Sequence, residues 1–168
     1  MISKVQTDTW EIVAQERRQL VTDLADLAEA RFDTDTDLAG WTAKAVLAHI
    51  VTPFLIATPR FVGSMIRYRG DLDKVNNKYA AKLSERPVSE LLAALGDNAD
   101  SRWSPPGAGV ELPLTEIVVH AQDLRRALGI AHKVPVNVEQ IISEYTASRK
   151  GSTPVAQADI DRRLAPVG

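Results

Sequence analysis

The chain has 168 residues, 45% hydrophobic and 25% charged, with a net charge of −2; that suits one soluble domain with a real core and leaves no concentrated positive field for binding nucleic acid. It contains no cysteine, which excludes disulfides, zinc–thiolate sites and a cysteine nucleophile, so any thiol chemistry needs a small-molecule thiol and any metal must be held by His, Asp, Glu and water. No stretch approaches the run of about 20 apolar residues a membrane span requires, and the opening "MISKVQTDTWE" lacks a signal peptide's apolar middle, so a cytoplasmic protein without a membrane partner is expected.

Helical periodicity dominates, and no strand pattern competes with it. The first segment runs from about Asp8 to Ala30, with Trp10, Val13, Leu20, Leu24 and Leu27 recurring at i+3/i+4 and Asp8 with Glu11 resembling a capping pair. "FDTDTDLAG" reads as a turn-rich connection. The second segment starts near Thr42 and contains Pro53 and Pro59, each of which removes an amide donor, so it should be kinked or split. "GDLDKVNNKYAAKLSER" is polar and reads as mostly loop. A third helix follows Pro87 on Val88, Leu91, Leu92 and Leu95, and "RWSPPGAGVELP" is a break. A fourth helix takes Pro113 into its first turn, where the missing amide costs nothing, and stops near Gly129. A short fifth helix covers roughly 136–148. Residues 151–168 carry few large apolar side chains and read as a loosely attached tail on a 1–150 domain. The expected fold is all-α, an antiparallel four-helix bundle with a short additional C-terminal helix packed outside.

The fourth helix holds an unusual polar stripe. In "TEIVVHAQDLRR", Glu116, His120 and Asp123 fall within about 60° of arc, walled by Ile117, Val118, Val119 and Leu124. In the second segment, His49 shares a face with Ala45, Val46, Pro53 and Ile56 and should point inward. His49, Glu116 and His120 would form a His₂–carboxylate set, three protein ligands with a position left for water or substrate, as in catalytic metal sites. Zinc and other divalent first-row ions suit such donors equally. The alternatives are a core histidine bonded to a neighbour and a plain i,i+4 polar pair. Cost favours the metal, because burying a carboxylate and two imidazoles unpartnered costs several kcal/mol. His132, beside a helix end and a proline, reads as a solvated loop residue.

The strings "GWTAKAVLAHIV" and "LTEIVVHAQDLRRALG" together resemble the mycothiol-dependent maleylpyruvate isomerase family of the DinB-like metal-binding bundles. The family pattern is approximately GWT-x-x-D-x-x-x-H and E-x-x-x-H-x-x-D-x-R-R. The resemblance implies that His49, Glu116 and His120 bind a divalent metal, usually zinc. It also implies mycothiol, the cysteine-bearing thiol of actinobacteria, as cosubstrate. Two departures stand out. The family's acid four residues before the first histidine is Ala45 here, and the strand-bearing C-terminal segment of other members is missing. Loss of that acid removes either a helix-capping group after Thr42 or a contact that orients a ligand.

The implied chemistry is thiolate addition to an electrophilic carbon, giving isomerisation of an activated double bond or thiol transfer on a small, carboxylate-bearing substrate. Asp123, in phase with His120, would orient a ligand or pair with an arginine. Arg60, Arg67 and Arg69 are the candidates for holding a substrate anion, Arg60 on condition that the helix continues through Pro53 and Pro59. Arg125 and Arg126 lie far round from Glu116 and read as salt-bridge residues, while Trp41 and Trp103 read as packing at helix ends. Metal-dependent hydrolysis on the same scaffold and a non-catalytic helical ligand-binding protein are the alternatives. Monomer and homodimer are both compatible with the sequence.

Overall fold

A computed structural model of the chain describes residues 4–105, 107–149 and 152–168, and these are all-helical apart from two isolated bridges. The helices are α1 (Lys4–Leu24), α2 (Ala43–Leu55), α3 (Thr58–Arg67), α4 (Leu72–Leu83), α5 (Val88–Asp97), α6 (Glu111–Leu128), α7 (Val136–Ser148) and α8 (Pro154–Leu164), with a 3₁₀ turn at Glu29–Asp33. α1 and α2 each pack against both α5 and α6, which makes a DinB-like four-helix bundle from the four main sequence segments. Val13, Leu20 and Leu24 of α1, Val46, Leu47 and Val51 of α2, Leu91 and Leu95 of α5, and Leu114 and Leu124 of α6 are wholly buried in its centre. Each contributes about 1.5–3 kcal/mol of apolar burial. No single helix among the described residues is long and apolar enough to cross a membrane.

The prolines act where the sequence places them. Pro53 has no amide to give the carbonyl of His49, and α2 ends two residues later. Pro59 then sits in the first turn of α3, where that lack is harmless. Between them the chain bends by 116°. α6 ends at Gly129, whose left-handed backbone (φ 70°, ψ 34°) lets the Ile130 amide return to the Arg125 carbonyl at 2.8 Å. α7 occupies the span expected of the fifth helix and packs on α6.

Three segments differ from the sequence reading. α1 starts before Asp8 and ends at Leu24, so Asp8 lies inside the helix and not at its start, and its side chain is outside the described residues. The polar stretch read as loop forms α4, because Asp71 caps it by accepting from the Lys74 amide and a narrow stripe of Val75, Tyr79 and Leu83 is buried against α2. The segment read as a loose tail forms α8, which packs on α6 and α7. Thr153 caps it, Pro154 opens it, Leu164 is buried, and Val167 pairs with His132 in an antiparallel bridge. The expected boundary at 150/151 lies outside the described residues.

Candidate metal centre

Two helices supply the site. Thr42 starts α2 by accepting a hydrogen bond from the Ala45 amide, and two turns on His49 emerges on the side of α2 that faces α6. On α6, Glu116 and His120 stand one turn apart, and so on one face. The three side chains converge. His49 Nε2 lies 3.3 Å and His120 Nε2 3.6 Å from the same oxygen, Glu116 Oε2. One ligand atom from each residue fits within a mutual separation of 4.8 Å. The imidazoles meet edge to face at 4.8 Å between centroids, and the Trp41 ring packs against His49 at 5.2 Å.

Exposure is uneven. The His49 and His120 side chains keep only 14% and 15% of their surface, whereas Glu116 keeps 51%. The carboxylate therefore forms the solvent-facing side of the cluster. Burial raises the Glu116 pKa, but hydrogen bonds and charge from His120 and His49 outweigh it and hold the carboxyl far below its ordinary value. Burial lowers the His120 pKa, and the bonds to Asp123 and Glu116 outweigh that and raise it. Each shift expresses the same fact: a dense knot of donors and acceptors with an ionised carboxylate at its edge.

Behind His120 stands Asp123. Its Oδ2 lies 3.1 Å from His120 Nδ1, and the residue is almost wholly buried. A proton on Nδ1 donated to Asp123 leaves the Nε2 lone pair directed at the cluster, the tautomer a metal ligand needs. Burial raises the Asp123 pKa, and His120 with Arg163 more than reverse this, so the carboxylate is ionised. Arg163, on α8, escaped the sequence reading; it grips Asp123 through Nε (3.1 Å) and through Nη2. The available signal was "STP" at 152–154, a threonine cap followed by a proline, which marks a helix start where a tail was read.

Other candidates lie apart. The 116° bend breaks the condition set for Arg60, which lines a cleft of about 480 Å³ with Leu55, Lys82 and Arg86. Arg67 and Arg69 are exposed, and no hydrogen bond or ion pair among the described residues joins any of the three to the cluster. Arg125 is fully buried and pairs with Glu16 and Asp23 of α1, while Arg126 caps the carbonyls of Arg163 and Ala165 at 3.2 Å. His132 corrects the expectation of a solvated residue: it is half-buried, with Nδ1 2.8 Å from Gln122 Oε1. Trp41 joins the helix start to α4 through Asn77 (2.6 Å), and Trp103 is 39% exposed.

A family model described as the mycothiol maleylpyruvate isomerase N-terminal domain matches residues 13–102, more than half of the chain. The chain belongs to that family. No curated protein and no solved structure matches it. The family is mycothiol-associated, metal-binding and DinB-like. The matched residues hold His49 and stop before Glu116 and His120, so the family match does not itself cover the pair on α6.

Within the mycothiol maleylpyruvate isomerase frame, the donor set fits a divalent first-row ion: two imidazole nitrogens and a carboxylate oxygen, one imidazole backed by a buried carboxylate. One atom departs from that fit. His49 Nδ1 is buried without a hydrogen-bond partner. It belongs to the histidine whose family acid, one helical turn earlier, is Ala45 here.

Proposed function

We propose that this chain holds one divalent cation, zinc or a similar first-row ion, on His49, Glu116 and His120, and that it uses the site to activate mycothiol against a small electrophilic substrate. The observation carrying this reading is the convergence of the three ligand atoms within 4.8 Å, from helices distant in sequence. A cation there supplies Lewis acidity, keeping a bound thiol deprotonated at neutral pH. The protein's own residues do the rest. His49 and His120 would each offer a ring nitrogen to the cation, and Asp123, 3.1 Å from His120 Nδ1, can accept that ring's proton so that Nε2 is left free. Glu116 offsets the cation's charge and leaves the solvent side accessible to thiol and electrophile.

A chain without cysteine cannot compete with an incoming thiol for the site. Thiolate addition to an activated double bond, rotation about the resulting single bond and expulsion of the same thiolate give cis–trans isomerisation. Displacement of a leaving group in its place gives S-transfer. Neither step requires a cation on a substrate carboxylate, and Arg60, Arg67 and Arg69 stand on or just beyond α3, which packs chiefly on α4.

Metal content after chelator-free purification tests the site. Close to one ion per chain is expected, lost in His49→Ala and in His120→Ala and kept in His132→Ala. Incubation with maleylpyruvate or another electrophile, with and without mycothiol, then tests the chemistry. Turnover that proceeds equally without the thiol points to hydrolysis by metal-bound water. Full metal loading with no turnover of either kind favours a ligand-binding role, for which the missing acid at Ala45 is the supporting observation.

A further inference from the structure

We infer that Arg163 is a positioning residue of this centre: from the C-terminal helix it clamps Asp123 against His120, so that docking of α8 sets how tightly the cation is held. The inference rests on reading His49, Glu116 and His120 as the ligand set.

Asp123 sits on α6 with both oxygens engaged. Oδ1 accepts from Arg163 Nε at 3.1 Å; Oδ2 accepts from Arg163 Nη2 and from His120 Nδ1 at 3.1 Å. This is a two-pronged guanidinium–carboxylate grip, which fixes the plane of the carboxylate as well as its position. Without it, a carboxylate only 2% exposed would keep His120 Nδ1 as its one remaining side-chain partner and would lose the cation that compensates its buried charge. Arg163 Nη2 also lies 3.3 Å from His120 Nδ1. Arginine has no acceptor, so were Nδ1 to accept a hydrogen bond from Arg163, the ring's own proton would have to sit on Nε2 and block it as a ligand. By drawing Oδ2 into contact with both nitrogens, the clamp gives Nδ1 an acceptor to donate to.

The helix carrying Arg163 is held in register by residues that neighbour Asp123 on α6. Gln122 Nε2 donates to the Ala165 carbonyl at 3.2 Å, and Arg126 caps the carbonyls of Arg163 and Ala165. Leu164 fills the apolar seam, and the His132–Val167 bridge (2.9 Å in both directions) pins the end of the chain. All of this lies outside residues 13–102 that match the family. The C-terminal helix is thereby part of the centre and not an appendage to it.

The test uses the full chain and its variants Arg163→Met, Arg163→Lys and Arg162→Met, the last altering an exposed neighbour that pairs with Asp159. Zn²⁺ affinity is read by competition with a chromophoric chelator, and the visible spectrum of the Co²⁺-loaded protein reports the ligand field. Arg163→Met should weaken Zn²⁺ binding roughly 10–100-fold, the usual effect of removing an outer partner of a ligand, and shift the Co²⁺ bands. Arg163→Lys keeps the charge but not the fork, and should lose at least about threefold. Arg162→Met should stay within roughly twofold. Affinity and spectrum unchanged in Arg163→Met, whatever its thermal stability, overturn the inference; should that variant not fold, an unchanged Arg163→Lys does the same. A wild-type chain that takes up neither ion overturns the ligand set itself, whereas uptake lost in His120→Ala and unmoved in Arg163→Met overturns the clamp alone.

Discussion

Placing aspartate at position 45 should supply the hydrogen-bond partner that His49 Nδ1 lacks. Ala45 precedes His49 by one helical turn, so the two side chains share a face, with Cβ atoms about 5–6 Å apart. Outer partners of metal-bound histidines change affinity roughly 10–100-fold. Ala45→Asp should therefore tighten Zn²⁺ by that factor, about 1.4–2.8 kcal/mol. Ala45 is only half-buried, so the new carboxylate keeps part of its hydration and the lower half of that range is expected. The substitution has a second effect that must be separated. Ala45 is the third residue of α2 after the cap Thr42, where an acid favours the helix dipole by about 0.3–1 kcal/mol without any metal. Thermal stability of the metal-free protein is thus the wrong readout. Chelator competition on wild type, Ala45→Asp and Ala45→Glu separates the two effects, because glutamate there closes a capping box on the Thr42 amide and gives helix stability without the histidine contact. Equal Zn²⁺ affinity in Ala45→Asp and wild type, or equal gains from Asp and Glu, would refute the reasoning.

Arg125→Met should destabilise the fold by about 3–5 kcal/mol, because it leaves Glu16 and Asp23 facing a buried site without their cation; urea unfolding measures this, and a loss under about 1 kcal/mol would show the pair to be solvated. Arg126→Met removes caps from α8 only, so its cost should stay near 1–2 kcal/mol. Burial first, and then the Arg125 charge, holds the His132 pKa below 6.5. The unfolded chain then binds more protons below that pH, so wild type should lose stability as pH falls through 6.5 and towards the folded value. His132→Asn should flatten that part of the urea-midpoint profile, and an unaltered slope would place the pH dependence elsewhere. Finally, Zn²⁺ at about 100 times its dissociation constant should raise unfolding free energy by about 2.7 kcal/mol, an increment that chelator removes and that His49→Ala never shows.

The bundle and the cluster were legible in the sequence for the same reason. Wide apolar stripes mark α1, α2, α5 and α6, and a polar residue is conspicuous only against such a stripe, as Glu116, His120 and His49 are. α4 was not legible, because its buried face is narrow, Val75, Tyr79, Ala80 and Leu83, inside a run rich in Lys and Asn. α8 escaped because its attachment relies on capped carbonyls and on only two large apolar side chains, Ile160 and Leu164, too few to make a periodic trace. Arg163 illustrates the deeper limit. Its partner is forty residues away, and no local pattern announces a contact that depends on how two helices dock. Arg60 was tied to the His49 face only on condition that the helix ran on through Pro53 and Pro59, and the 116° bend does not meet that condition.

The lopsided shielding of the cluster has a consequence for loading. Two imidazoles are walled in by helices while the Glu116 side chain is half exposed, so the open approach to the cluster is on the carboxylate's side. A cation held there would exchange with its surroundings past that one residue, and its occupancy would then follow the supply of free ion.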